Sequence, residues 1–262
     1  RAYGMIGEAF SGWSWTNGYT DGPVIHSSFS LGDTTASIWA ATAIVSALYW
    51  RDAQGGGEGM VIDSVLIDPN FRAMEQQIVI YDQTGVSIAR DGSQHEATPY
   101  ADICQTKDDR YFSFSAFTQE AIRNLVQALG LNDDSRFNNL DACLKHREEF
   151  YQTAATWFGE RTLDEVIEVF EKQGANGMPV MNAENLYHDP HIKAREMVIS
   201  LPDPEGGDKP IEMQGVVPKL SETPGKVGNA CHPMGGHNEE VYGELLGIGR
   251  DELADLMAEG VI

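Results

Sequence analysis

Positive charge is scarce in this chain: its 262 residues carry 18 lysines and arginines against 40 aspartates and glutamates, a net charge of -22. A field of that sign repels nucleic acid and anionic membrane surfaces, so neither is an expected partner. Lysine is the rarer base, with 7 of the 18, and an acidic, lysine-poor surface resembles proteins of high-salt cytoplasm, where screening removes self-repulsion. Cysteine is also sparse. Cys104, Cys143 and Cys231 are odd in number and widely spaced, which excludes a disulfide framework and reads as reduced thiols in a cytoplasmic protein. The longest apolar run, Ile38 to Trp50, falls short of the ~20 residues a membrane span needs, and no leader pattern opens the chain. The glycine run Gly55 to Gly59 lacks the Gly-Lys-Ser/Thr element of a phosphate loop and reads as a turn. His188 and His191 flank Asp189-Pro190 without a third ligand, so no metal is expected.

Against these absences stands a 42% hydrophobic content, enough for one large or two modest domains. The most informative stretch is Leu31-Gly32-Asp33-Thr34-Thr35, which opens a segment that is apolar almost all round to about Arg51 and so predicts a buried helix. Asp33 falls where free backbone N–H groups and the positive end of the helix dipole favour an ionised carboxylate. Asp-Thr-Thr-Ala is equally the pattern of an ordinary N-cap, with the carboxylate spent on the helix's own N–H groups. Further on, Met60 to Val65 is β-branched and predicts a strand, Asn70 to Ile80 has helical spacing, and the polar, Gly-dotted stretch to Pro99 reads as a linker. Tyr111 to Ser115 alternates like a strand. Helical patterns follow over Gln119–Leu129, Asp141–Phe158 and Leu163–Gln173, the last closed by Gly174. After a Pro/Gly-rich return from Leu201 to Gly236, two short helices end the chain. The order of elements predicts an α/β fold.

Several blocks in register carry a resemblance: Ser11-Gly12 with Asp21-Gly22-Pro23, Leu31-Gly32-Asp33, Gly177-Met178-Pro179-Val180 with Asp189-Pro190-His191, Pro218 to Gly225, and Gly235-Gly236-His237-Asn238-Glu239-Glu240-Val241. Together they resemble the class III CoA-transferase family, which includes formyl-CoA, carnitine, mesaconate and succinate CoA-transferases and the methylacyl-CoA racemases. The resemblance implies coenzyme A, as an acyl-CoA substrate, and a two-domain subunit in an interlocked dimer. Residues 1–70 would close a Rossmann-like large domain, 71–99 would be a linker, 100–200 a smaller α+β domain and 201–262 the return to the large domain. The abrupt start at Arg1 reads as an internal piece of a longer chain, with the N-terminal half supplied by another segment or polypeptide.

By the same resemblance Asp33 is the nucleophile, attacking an acyl-CoA thioester on the way to a small carboxylic acid acceptor. Arg1, Ala2, Tyr3 and Gly4 would line the CoA channel, with Arg1 suited to an anionic group. A glycine loop would exclude water and donate N–H groups to the oxyanion, and the nearest candidate is Gly92-Ser93. His237 either approaches the active site or only begins the terminal helix. The racemases place a histidine where this chain has Tyr3, and tyrosine, with an unperturbed pKa of about 10, is a poor α-proton base near neutral pH. That difference favours transfer. Racemisation and a non-catalytic assembly role remain the alternatives.

Overall fold

The computed structural model describes residues 3–95, 98–204 and 206–262. The fold is mixed α/β and divides into two compact units, residues 1–180 and 181–262. This division is coarser than the four-part layout expected from the sequence.

The first unit opens with helices α1 (Gly4–Phe10), α2 (Trp13–Thr16), α3 (Leu31–Ala53), α4 (Ile67–Ala73) and α5 (Gln77–Thr84). Its core lies further along, on a three-stranded antiparallel sheet in the order β1 (Ala101–Gln105), β2 (Tyr111–Ser115), β3 (Gly177–Pro179). In β2 the period-2 alternation of Tyr-Phe-Ser-Phe-Ser sends Phe112 and Phe114 inward and leaves Tyr111 and Ser115 exposed. Helices α6 (Gln119–Ala128), α7 (Leu140–Lys145), α8 (Arg147–Gly159) and α9 (Leu163–Gln173) complete this part. Phe158 of α8 stacks on Phe114 at 5.5 Å, and Phe170 of α9 meets Phe112 edge-on at 4.7 Å, so the aromatic centre joins both helices to the sheet.

Helix α9 follows its sequence pattern residue by residue. Thr162 and Glu165 form a reciprocal capping box at its start, and Gly174, at φ 61°, turns the chain into the left-handed region after its last turn. The second unit holds α10 (Ala183–His188), α11 (Pro190–Ala194), the hairpin β4 (Val198–Leu201) with β5 (Ile211–Gln214), a π-helix at Glu239–Leu245 and α12 (Arg250–Ala258).

Four expectations change. Helix α3 forms over the expected residues, but of its apolar residues only Ala36 is buried; Trp39, Val45 and Tyr49 are 55, 66 and 60% exposed, because no element among the described residues covers that face. Met60 to Val65 pairs with no strand among the described residues, since a β-branched run makes a strand only when another strand meets its backbone. The helical run over Asn70–Ile80 is two helices, α4 and α5, separated at Glu75, whose φ of 50° is left-handed. The long helix over Asp141–Phe158 likewise divides into α7 and α8 at His146. All strand pairs among the described residues are antiparallel, so a parallel Rossmann-type sheet is not part of what they form.

Candidate active site

Asp33 is the third residue of α3, two places after the helix begins at Leu31. The N-cap is Ser30, which makes no side-chain capping bond. Asp33 therefore does not occupy the capping position that its Asp-Thr-Thr-Ala context allowed. Its carboxylate is exposed, and its backbone carbonyl accepts from the Ser37 hydroxyl at 2.8 Å. Among the described residues no hydrogen bond or ion pair holds the carboxylate, so it is free for a reacting partner. Its place in the first turn puts it beside the positive end of a helix of 23 residues.

Two glycines form the floor beneath this turn. Gly4 begins α1 and is buried against α3, and a Cβ built on it would overlap Oδ2 of Asp33. Gly32 is buried from the other side: its own Cβ would lie 2.9 Å from the Gly4 Cα. At Gly32 glycine is required by close approach, since a methyl group there would meet the Gly4 backbone and push α1 and the Asp33 turn apart, whereas a methyl group at Gly4 would displace the Asp33 carboxylate from its present place. Gly7, one turn further along α1, packs in the same way on Leu66, whose carbonyl oxygen would lie 3.2 Å from a Cβ there.

The opposite side of the turn is held by hydrogen bonds. The Thr35 hydroxyl lies 2.9 Å from Leu31 O, 3.0 Å from Gly32 O and 3.0 Å from Asn70 Oδ1. Asn70, on α4, is almost fully buried, and its Nδ2 donates to Leu66 O at 3.3 Å. Glu8 of α1 is fully buried; its Oε2 accepts from the Ser27 N–H at 2.9 Å and stands 3.9 Å from His26 Nδ1, while its Oε1 has no partner. Sequence reasoning missed Thr35, Asn70 and Glu8. No local pattern signals them, because each becomes special only through a contact made by chain folding.

The other described sequence candidates lie on different elements and turns. Tyr3 is the N-cap of α1 and 84% exposed, next to the Gly4–Asp33 contact. Arg1 and Ala2 lie outside the described residues. Gly92 lines a cavity of about 380 Å³ together with Trp13, Met74, Asp91, His95 and Arg147. Its N–H, however, already donates to Gly18 O at 2.9 Å, and the Ser93 hydroxyl is engaged by Asp102. An oxyanion-binding role for Gly92 would require that first bond to break. His237 belongs to the second unit, where its ring meets His232 at 4.2 Å immediately before the π-helix. No cluster of metal-ligating side chains occurs among the described residues, and no helix among them is long and apolar enough to cross a membrane.

The sequence profile of CoA-transferase family III matches residues 1–238. The chain belongs to CoA-transferase family III. Among curated members it is 34% identical over 263 residues to the succinyl-CoA–D-citramalate CoA-transferase of Chloroflexus aurantiacus, covering 99% of this chain and 64% of that protein. It is 28% identical to the succinyl-CoA–L-malate CoA-transferase beta subunit of the same organism, covering 99% of this chain and 65% of the subunit. It is 24% identical to the succinyl-CoA:mesaconate CoA-transferase of Haloarcula hispanica, over 95% of this chain and 61% of the relative. The chain thus spans just under two thirds of the length of these relatives. The crystal structure of a CaiB/BaiF family protein from Brucella suis shares the fold, with a TM-score of 0.74 and 22% identity, over 93% of this chain and 63% of that one. The Asp33 side chain is exposed, and the turn that carries it packs closely on the Gly4 main chain.

Proposed function

We propose that this chain carries the nucleophile of a CoA-transferase that moves CoA from succinyl-CoA to another small dicarboxylic acid, with Asp33 forming the covalent intermediates. The observation that carries the reading is an exposed carboxylate in the first turn of α3 with no hydrogen-bond or ion-pair partner among the described residues, in a chain matched by family III over residues 1–238. The names of its relatives, which pair succinyl-CoA with D-citramalate, L-malate and mesaconate, support the substrate class.

In this mechanism an Asp33 oxygen attacks the thioester carbonyl carbon; a C–O bond forms, the C–S bond breaks, and CoA leaves as thiolate. The product is a mixed anhydride between Asp33 and the acyl group. The thiolate then attacks the aspartyl carbonyl, releasing the donor carboxylate and leaving CoA on Asp33 as a thioester. The acceptor carboxylate repeats the sequence in reverse, and Asp33 is regenerated. Such intermediates hydrolyse readily, so the site has to exclude water.

That requirement accords with the uncovered face of α3. In the proposed assembly the apolar residues of α3 and the extended run Met60 to Val65 are covered by further polypeptide, either the N-terminal half of the same family fold or a second subunit of an interlocked dimer. Residues 1–70 then close a Rossmann-like large domain, 71–99 link it to a small domain at 100–200, and 201–262 return, in a cytoplasmic enzyme. Arg1 to Gly4 line the CoA channel.

The test is exchange of label between free succinate and succinyl-CoA, measured in the full-length polypeptide or natural complex that contains this chain. Asp33→Asn is expected to abolish exchange while leaving CoA binding intact. Unchanged exchange in Asp33→Asn overturns the reading.

A further inference from the structure

The first turn of α3 is fixed by more than its own helix. Thr35 and Asn70 stand 35 positions apart in sequence yet meet at 3.0 Å, Oγ1 to Oδ1, and Asn70 is tied onward to Leu66 O at 3.3 Å. Leu66 in turn packs on Gly7 of α1, and α1 presents the bare Cα of Gly4 to Asp33 and Gly32. The contacts close a ring: α3 to α4 through Thr35–Asn70, α4 to α1 through Leu66–Gly7, α1 to α3 through Gly4–Gly32. Asp33 sits on the last of these, and among the described residues no side-chain hydrogen bond aims it.

Resting on the reading of Asp33 as nucleophile, we propose that Thr35 and Asn70 are positioning residues, which hold the first turn of α3 so that the Asp33 carboxylate stays against Gly4 and faces its substrate. The physical case is one of cost. A nearly fully buried asparagine is retained in a small interior only if both ends of its amide are satisfied, and its two partners here are the Thr35 hydroxyl and the Leu66 carbonyl. A carboxylate without a hydrogen bond of its own has its direction set by the main chain beneath it, so a small rotation of the α3 turn re-aims it. Misplacement by about 1 Å can lower a rate by about a hundredfold.

The experiment compares wild type with Thr35→Val, Thr35→Ser, Asn70→Ala and Asp33→Asn in the full-length enzyme or complex. It measures the single-turnover rate of covalent adduct formation from succinyl-CoA, the Kd for free CoA and the thermal midpoint. Thr35→Val keeps the shape and removes the hydroxyl; adduct formation is expected to slow by about ten- to a hundredfold, with the Kd for CoA within error of wild type and the thermal midpoint lowered, because the buried Asn70 amide loses a partner. Thr35→Ser restores the hydroxyl and is expected to recover most of the rate, while Asn70→Ala slows the step as Thr35→Val does. A wild-type rate in Thr35→Val overturns the proposal. So does a slow Thr35→Val whose loss is matched by weaker CoA binding, or one that Thr35→Ser does not relieve, because the role is then structural. Asp33→Asn separates the two claims: an adduct formed at wild-type rate in that variant refutes the nucleophile, whereas a dead Asp33→Asn beside a fast Thr35→Val refutes the positioning alone.

Discussion

At the residue scale, Leu31-Gly32-Asp33 ahead of a long apolar segment places Asp33 at the start of a helix, where a carboxylate is an ordinary cap or first-turn residue as often as a functional group, and its reading as nucleophile comes from the resemblance to the family. The structure makes Ser30 the N-cap and leaves the carboxylate unspent. Asn70 was not legible, since one asparagine in a helix of seven residues looks like any surface polar residue until the fold buries it. The Gly4 contact gives a direct test: Gly4→Ala places a methyl group where Oδ2 of Asp33 now lies. Transfer is expected to fall about tenfold or more in a succinyl-CoA exchange assay, and an unimpaired Gly4→Ala would show that the close approach is not needed. The cysteines give a second. Burial pushes the Cys104 thiol up to about 12 and the Cys143 thiol up to about 11, while Cys231 is exposed. A thiol reagent is expected to label Cys231 in the native protein and all three cysteines in denaturant. Because both buried thiols hold their protons longer when folded, stability is expected to decline as pH rises above about 9, where the unfolded thiols ionise.

Among the elements, α9 was readable because every local signal agrees: apolar spacing, an N-terminal cap and a terminal glycine. Removing the Thr162 hydroxyl by Thr162→Ala is expected to cost about 1 kcal/mol in chemical denaturation. Phe158→Ala empties the centre of the aromatic cluster, where Phe112, Phe114, Trp157 and Phe170 all meet its ring, and is expected to cost about 3–5 kcal/mol. The elements that departed from expectation share one cause. Helix α3 and the run Met60 to Val65 have the composition of an interior, but composition states how apolar a segment is and not which polypeptide will cover it. The breaks at Glu75 and His146 are of another kind. Apolar periodicity continues across both, while the backbone turns at a single residue, and period alone cannot locate such a turn.

For the whole molecule, the sequence conveyed the family and the mixed α/β character, whereas the layout of a large and a small domain came from the resemblance and not from any pattern in these residues. The net charge of -22 belongs to this scale. Self-repulsion of that size is screened by salt, so the thermal midpoint is expected to rise with KCl concentration, and a flat response would remove the argument for a high-salt setting. The central claim, covalent chemistry at Asp33, is tested most directly by mass spectrometry of the full-length enzyme or complex after incubation with succinyl-CoA and trapping with hydroxylamine or borohydride. A mass change confined to the peptide that contains Asp33 is the expected result. An unmodified Asp33 peptide in protein shown to bind CoA and to turn over would contradict it and move the chemistry to another residue.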